Sequence, residues 1–400
     1  MAKTIRFGVF GVWRGLAFIK SLANIDGAEV TAICDANPEK TAEARPFCAA
    51  DVKICSSFDE MLDSGIDAVI LCNYFHQHAP FAIRAMNKGI HVFSETLPAT
   101  TMKECVSLVD TVEKTGCVYS LAENYPYSRA NMELTRIYKS GMLGEVVFAE
   151  GEYVHPMSPA ETGYYSPGPY HWRRFNPKTY YLSHSLAPLM TATDLMPKRV
   201  IGKVAAGKAY SKTHGREDYD GAGILLVEMD NGAIFRISGS CNFGGIGDWY
   251  RLGCEKGGVE SVRGTNDKVR LVVNEWDRNE TTKYAGEECI YRPEMTELGK
   301  KAQGSGHGGG DYWVTWHFVQ DLLHNQVPFM NVYRAAAIAA TGILGWRSVL
   351  QDSRQMDIPD FSKKEDRERY AGDDLTPFPS AEREATLPYC YYRLGDGKHE

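Results

Sequence analysis

Apolar positions along the chain fall into two regimes. Up to about residue 125, short runs that are apolar almost without interruption (5–10, 29–34, 67–72, 89–93, 118–121) alternate with stretches of helical periodicity (16–22, 38–50, 80–88, 102–115). Continuous apolar runs suit strands covered on both faces of a parallel sheet. Their alternation with helices predicts a doubly wound α/β domain. Ser57-Phe58-Asp59-Glu60 reads as a capping box opening a short helix within this region.

Beyond residue 125 the pattern lengthens. A helix over 128–140 precedes strand candidates at 146–155, 200–210, 223–229, 233–238, 250–255 and 269–273, with Asp230-Asn231-Gly232 marking a hairpin between two of them. These runs predict a C-terminal α+β domain on an open, largely antiparallel sheet, with helices on one face and room for another subunit on the other. Residues 311–350 read as helical with a break near Pro328. The remainder is polar and Pro-containing, ends in Pro388-Tyr389-Cys390-Tyr391-Tyr392, and reads as an arm. The expected division is 1–125 for cofactor binding, 126–355 for substrate and oligomerisation, and 356–400 for the arm.

Candidate chemistry gathers at the strand ends. The first run passes into Gly8-Val9-Phe10-Gly11-Val12-Trp13-Arg14-Gly15. That is strand, tight turn and helix, with backbone N–H groups at the helix start directed at an anionic ligand. Trp13 stands where the second glycine of the dinucleotide fingerprint normally lies, and Leu16 where the third does. The second run ends in Asp35, placed to accept the ribose hydroxyls of NAD and to repel a 2′-phosphate. Asp35, Asn73, Glu95 and Glu123 all fall at carboxyl ends of strands, where a doubly wound sheet binds its ligands. The first domain therefore reads as a Rossmann domain, with Gly11, Trp13, Arg14 and Asp35 at an NAD cofactor.

Composition narrows the partners. A formal charge of −7 on 400 residues offers no basic footprint for nucleic acid. No apolar run reaches the length of a membrane span, and the first strand begins at once without a signal peptide. Ten cysteines without a CxxC pair suit reduced thiols in a cytoplasmic protein. His76 and His78 lack a patterned third ligand, so no metal is expected.

These motifs resemble the Gfo/Idh/MocA oxidoreductase family over roughly residues 5–350. The resemblance rests on the glycine turn, Asp35, the loop from Asn73 to His76, and Glu95-Thr96-Leu97-Pro98 after Gly89-Ile90-His91-Val92-Phe93. A typical member carries Glu-Lys-Pro in that last motif, with a lysine that positions substrate and moves protons. Here Thr96 replaces the lysine, and Ala187 replaces the histidine of the usual Asp-x-Gly-x-His. Both departures resemble the NAD-dependent glycosidase branch typified by α-N-acetylgalactosaminidase. The Glu123-Asn124 pair, Tyr153, Tyr181-Leu182-Ser183-His184 and the Gly306-His307-Gly308-Gly309 loop are similar to elements of that branch. The resemblance implies Glu123, Tyr153, Tyr181 and His184 as catalytic groups, and Asn73, His76, Glu95 and Asn124 as cofactor contacts.

Two further stretches point to substrate. Trp172-Arg173-Arg174 suits a sugar bound by stacking and bidentate bonds, or equally a rim ion-pair cluster. The glycine-rich 304–311 suits a loop bringing His307 and Asp311 to a ligand. His155 and His171 read as ordinary surface histidines. The implied reaction is redox-assisted cleavage of a carbohydrate. NAD⁺ takes hydride from a ring carbon (C3), the ketone acidifies C2–H, a phenolate or imidazole removes that proton, the C1 group leaves, water adds and the hydride returns. A sugar dehydrogenase releasing a keto-sugar and NADH is the alternative, and a non-catalytic sugar or nucleotide sensor is the third. The expected assembly is a homo-oligomer, dimer or tetramer.

Overall fold

The computed structural model describes residues 4–166, 168–207, 220–239, 241–265, 267–286, 289–381 and 383–392. The chain forms two compact units and visits each more than once. The first holds the chain up to Tyr127 with residues 295–336 and 361–373; the second holds the rest.

The first unit begins β1 (Ile5–Phe10), α1 (Val12–Leu22), β2 (Ala28–Cys34), α2 (Pro38–Ala44), β3 (Lys53–Ile54), α3 (Phe58–Leu62), β4 (Ala68–Leu71), α4 (His78–Asn87), β5 (His91–Ser94), α5 (Met102–Thr115) and β6 (Tyr119–Leu121). All six strands are parallel, in the order β3-β2-β1-β4-β5-β6. That is the Rossmann order, and its direction of winding reverses between β1 and β4, where ligands bind. The helix ends follow local chemistry. Ser57 caps α3, a reciprocal Thr101–Glu104 box caps α5, and Gly116 closes α5 at a φ of 67°. The helix expected over 38–50 is shorter, ending at Ala44 before a 3₁₀ turn at Arg45–Phe47.

The second unit carries α6 (Arg129–Lys139), β7 (Val146–Val154), α7 (Pro159–Tyr165), α8 (Ser183–Thr193), β8 (Pro197–Ala206), β9 (Asp220–Met229), β10 (Ile234–Ser238), β11 (Gly247–Cys254), β12 (Gly257–Ser261), β13 (Val269–Val273) and β14 (Ile290–Tyr291). The chain continues through α9 (Glu297–Ala302), α10 (Gly310–His324), α11 (Val332–Leu350), β15 (Met356–Asp357) and α12 (Lys364–Glu368). Nine strands form one sheet, β14-β13-β12-β11-β7-β10-β9-β8-β15. Every neighbouring pair is antiparallel except β7 and β10. The hairpin between β9 and β10 turns at Gly232 with a φ of 88°. β8 starts earlier than expected and ends at Ala206; the expected residues 208–210 lie outside the described residues.

Two segments divide differently from the expected boundaries. α10 joins the first unit, where Phe318 stacks on Phe93 at 4.7 Å and meets Phe7 edge-on at 6.2 Å. Its periodicity announces a helix but not which core it fills. The expected arm also splits. Residues 361–373 sit in the first unit, with buried Arg367 bonded to Asp110 at 3.0 Å and to Glu113. The following stretch sits in the second, where Asp220 accepts the N–H groups of Tyr391 and Tyr392 at 2.8 and 3.0 Å.

Candidate active site

In the first unit, Gly11 ends β1 with a φ of 90°. A Cβ there would stand 2.6 Å from the Cys72 carbonyl after β4, so this close approach at the switch point requires glycine. α1 starts immediately. The Oδ2 of Asp35 accepts the Val12 and Trp13 N–H groups at 2.6 and 3.2 Å, and its Oδ1 accepts that of Asn37 at 2.8 Å. The carboxylate expected at the ribose thus also caps the helix, against its positive end. Close helix–strand packing falls to Gly15, where a Cβ would stand 2.5 Å from Val9 Cγ1, not to position 16. Trp13 is 47% exposed on the first turn of α1.

The loop after β4 adds neutral polar groups. Asn73 has a buried Oδ1 with no hydrogen-bond partner among the described residues. Burial holds His76 down to about 4, so the ring is neutral near pH 7. His78 is buried, its ring nitrogens 2.8 Å from the Leu97 carbonyl and 3.0 Å from that of Asn73. The glycine turn, the carboxylate ending β2 and the unmet acceptor of Asn73 fit a dinucleotide. A cleft of about 960 Å³ runs along α1 beside Trp13, Arg14, Lys20, Asn24, Lys301 and His307.

Behind the turn, Arg14 is tied into a polar network. Its Nε donates to Glu95 at 2.6 Å, and its two terminal nitrogens reach the Asp311 carboxylate at 3.2 and 2.8 Å. Asn124 Nδ2 donates to the same carboxylate at 2.7 Å, and His307 Nδ1 lies 3.1 Å from it. Asp311 is 0% exposed. Burial works to raise its carboxyl, yet the His307 hydrogen bond and Arg14 hold it well below the usual carboxylate range. Burial likewise works to lower the His307 imidazole, and Asp311 outweighs it and raises it. Asp311, expected at the substrate, thus has its oxygens engaged within the unit and anchors Arg14 and His307. Glu123, also fully buried, accepts the Tyr125 N–H at 3.3 Å.

In the second unit a cluster of proton-handling side chains forms on the helix-covered face of the sheet. The Tyr181 hydroxyl lies 3.2 Å from Nε2 of His184, and the Tyr153 ring meets that of His184 edge-on at 4.7 Å. Close packing sets this distance: a Cβ on Gly151 of β7 would stand 2.0 Å from the Ser185 carbonyl of α8. Ser238 Oγ accepts the Tyr153 N–H at 2.7 Å. Trp172 stacks on Tyr181 at 5.9 Å, with 15° between the planes.

His155, read as a surface residue, is exposed and stacks on Tyr153 at 5.9 Å, on the strand face that their i,i+2 spacing gives both. One member of this cluster was not foreseen. Asp248 on β11 pairs in register with Tyr153. Burial raises its carboxyl and the neighbouring His184 opposes the rise. Only strand pairing reveals it.

The fold and the glycine turn define a dinucleotide-binding enzyme architecture whose second unit carries its own acid–base cluster. Residues 5–123 match the oxidoreductase family with an NAD-binding Rossmann fold, Gfo/Idh/MocA, and residues 266–367 match the C-terminal domain of glycosyl hydrolase 109. Residues 5–123 form an NAD-binding domain of the Gfo/Idh/MocA oxidoreductase type, and the chain is similar to glycosyl hydrolase 109 proteins.

A glycosyl hydrolase family 109 protein of Shewanella pealeana is 25% identical over 410 residues, covering 90% of this chain and 86% of its own. An α-N-acetylgalactosaminidase of Shewanella oneidensis is 24% identical with the same coverage of both chains. Among solved structures, a levoglucosan dehydrogenase in complex with NADH and levoglucosan superposes with a TM-score of 0.73 at 18% identity, over 89% of this chain and 100% of its own. A scyllo-inositol dehydrogenase from Lactobacillus casei, with bound NAD(H) and scyllo-inositol, gives 0.67 at 15% identity, over 90% and 100%.

Proposed function

We propose that this enzyme hydrolyses a glycoside by transient oxidation of the sugar, with no net redox change. The observation that carries the reading is the hydrogen-bonded Tyr181–His184 pair with Tyr153 against it, on a chain where Thr96 stands in place of the family lysine. The N–H of Thr96 donates to Glu95 at 2.9 Å, and its hydroxyl is no base near neutral pH.

NAD, when bound, supplies a hydride acceptor that later returns the hydride. Gly11, Trp13, Arg14, Asp35, Asn73, His76, Glu95 and Asn124 are the groups assigned to hold it, Arg14 and Glu95 being joined by their ion pair. His184 takes the hydroxyl proton of the carbon being oxidised, and the Tyr181 hydroxyl orients the imidazole through their hydrogen bond. Tyr153 removes the proton from the carbon beside the ketone, which drives departure of the group on C1. Glu123 is assigned to the same catalytic set, and Trp172 and Arg173 to the substrate. The resemblance to an α-N-acetylgalactosaminidase supports a carbohydrate substrate.

The finer assignments rest on separate features. On the uncovered face of the nine-stranded sheet, Arg236 and Arg251 pair with Glu150 at 2.8 and 3.3 Å, and Arg270 pairs with Glu260 at 3.1 Å. Exposed Phe148, Leu226 and Ile234 lie among them. Such a face, half apolar and half paired charge, supports a homo-oligomer. No helix of the described residues is long and apolar enough to cross a membrane. The ten cysteines form no disulfide, which supports a reducing, cytoplasmic setting.

The test is a panel of nitrophenyl glycosides with and without added NAD⁺. Nitrophenol release without accumulation of NADH is expected. NADH rising in step with a keto-sugar would identify a sugar dehydrogenase instead, and tight sugar binding without turnover a sensor.

A further inference from the structure

Arg173 stands apart from the other arginines around the second unit's sheet. It is the middle residue of the short turn Trp172–Arg174, and its guanidinium carbon lies 4.3 Å from the Trp172 ring centroid and 6.0 Å from that of Tyr165. Its side-chain N–H groups meet no carboxylate or carbonyl acceptor among the described residues. Neighbouring Arg174 is bonded to the carbonyls of Ser166 and Gly168. Arg263 also stacks on a tryptophan, Trp249 at 4.1 Å, but is paired with Glu152. Glu161, which like Arg173 acts electrostatically on His155, has its Oε2 on the Ser158 N–H at 2.8 Å, in the capping box that opens α7.

A half-buried guanidinium normally finds an acceptor, because leaving it unmet costs more than the pairing gains. Here two aromatic faces hold it in place, and its fork of donors remains available. That is a pre-organised receptor for a planar or tetrahedral anion. The surroundings put it beside the chemistry. Burial lowers the His155 imidazole and the Arg173 charge adds to this, so the two lie within electrostatic reach, and His155 stacks on Tyr153. Trp172, which carries the guanidinium on one ring face, stacks on Tyr181.

We propose that Arg173 receives an anionic substituent of the carbohydrate substrate, a carboxylate, sulfate or phosphate ester, so that the enzyme prefers charged glycosides to neutral ones. This rests on the reading of Tyr153, Tyr181 and His184 as the proton-transfer cluster. The Trp172 and Tyr165 faces orient the fork, and the anion accepts two of its N–H groups. Such a contact falls within the range of hydrogen bonds to charged groups, more than about tenfold in affinity.

The test compares a neutral nitrophenyl glycoside with its uronide, its 6-sulfate and its 6-phosphate. At least one charged substrate is expected to show a KM lower by about tenfold or more, and which one does so identifies the anion. The margin should shrink in high salt, collapse in Arg173→Met and persist in part in Arg173→Lys. Equal KM values for neutral and charged substrates, or a margin that survives in Arg173→Met, overturn the proposal. If no glycoside turns over, the proton-transfer reading fails instead. Calorimetric binding of galacturonate, galactose 6-sulfate and galactose 6-phosphate to the parent and Arg173→Met then decides the anion site alone, equal affinities overturning it.

Discussion

The hydroxyl of Tyr250 donates a hydrogen bond of 2.6 Å to the backbone carbonyl of His184. In an unbroken helix that carbonyl would accept the N–H of residue 188, but residue 188 is proline, inside α8, and has none. The strand residue replaces the missing helical donor and fixes the backbone that carries the imidazole. Tyr250→Phe is expected to remove this bond, at about 0.5–1.5 kcal/mol in urea unfolding, and to lower kcat. Parent-like stability and kcat would show that the bond is dispensable.

Proton transfer makes a second prediction. His184→Ala should lose at least about 10² in turnover, the lower end of a general acid–base contribution, while fluorescence titration still detects NAD⁺ binding. Tyr153→Phe should suppress incorporation of solvent deuterium beside the oxidised carbon, followed by NMR. Full activity in His184→Ala would reject the assignment.

Asp35 sets the cofactor preference. Its carboxylate repels a 2′-phosphate, so NAD⁺ is expected to bind more tightly than NADP⁺, and Asp35→Ala to narrow the gap. Because Asp35 also caps α1, the variant should be less stable by about 0.5–2 kcal/mol. Titration of both cofactors, paired with thermal melts, separates the two effects.

The His307–Asp311 contact gives a pH dependence of known sign. Asp311 raises the folded-state pKa of His307, so the protonated ring stabilises the fold fully below its unfolded pKa, and this is lost as pH rises through the folded value. His307→Gln should therefore lower Tm more at pH 5.5 than at pH 8.5. The carboxyl of Asp311 is depressed instead. Its stabilisation is present above the unfolded carboxylate value and disappears only in strong acid. A Tm deficit of His307→Gln that grows with pH would contradict this sign.

What was legible in the chain was local. Continuous apolar runs located the parallel strands, a capping residue opened α3, Asp230-Asn231-Gly232 marked its hairpin, and Gly11 with Asp35 located the cofactor turn. Each depends on a few adjacent residues, because helix and strand periods and turn conformations are set over that range. Helix α8 was not foreseen: it runs through Pro188, and Tyr250 supplies the donor that the proline lacks. The neighbours of polar groups were not legible either. Arg14 finds Asp311 across 297 residues of sequence, and α10 enters the first unit through Phe318. Asp248 reaches Tyr153 only through strand pairing. A buried charge takes whichever partner the finished packing brings within hydrogen-bond distance. Thus the sequence by itself determined the elements and the cofactor turn. Tertiary structure alone decided that Asp311 anchors Arg14, and that Tyr153, Tyr181 and His184 come together on one face of the sheet.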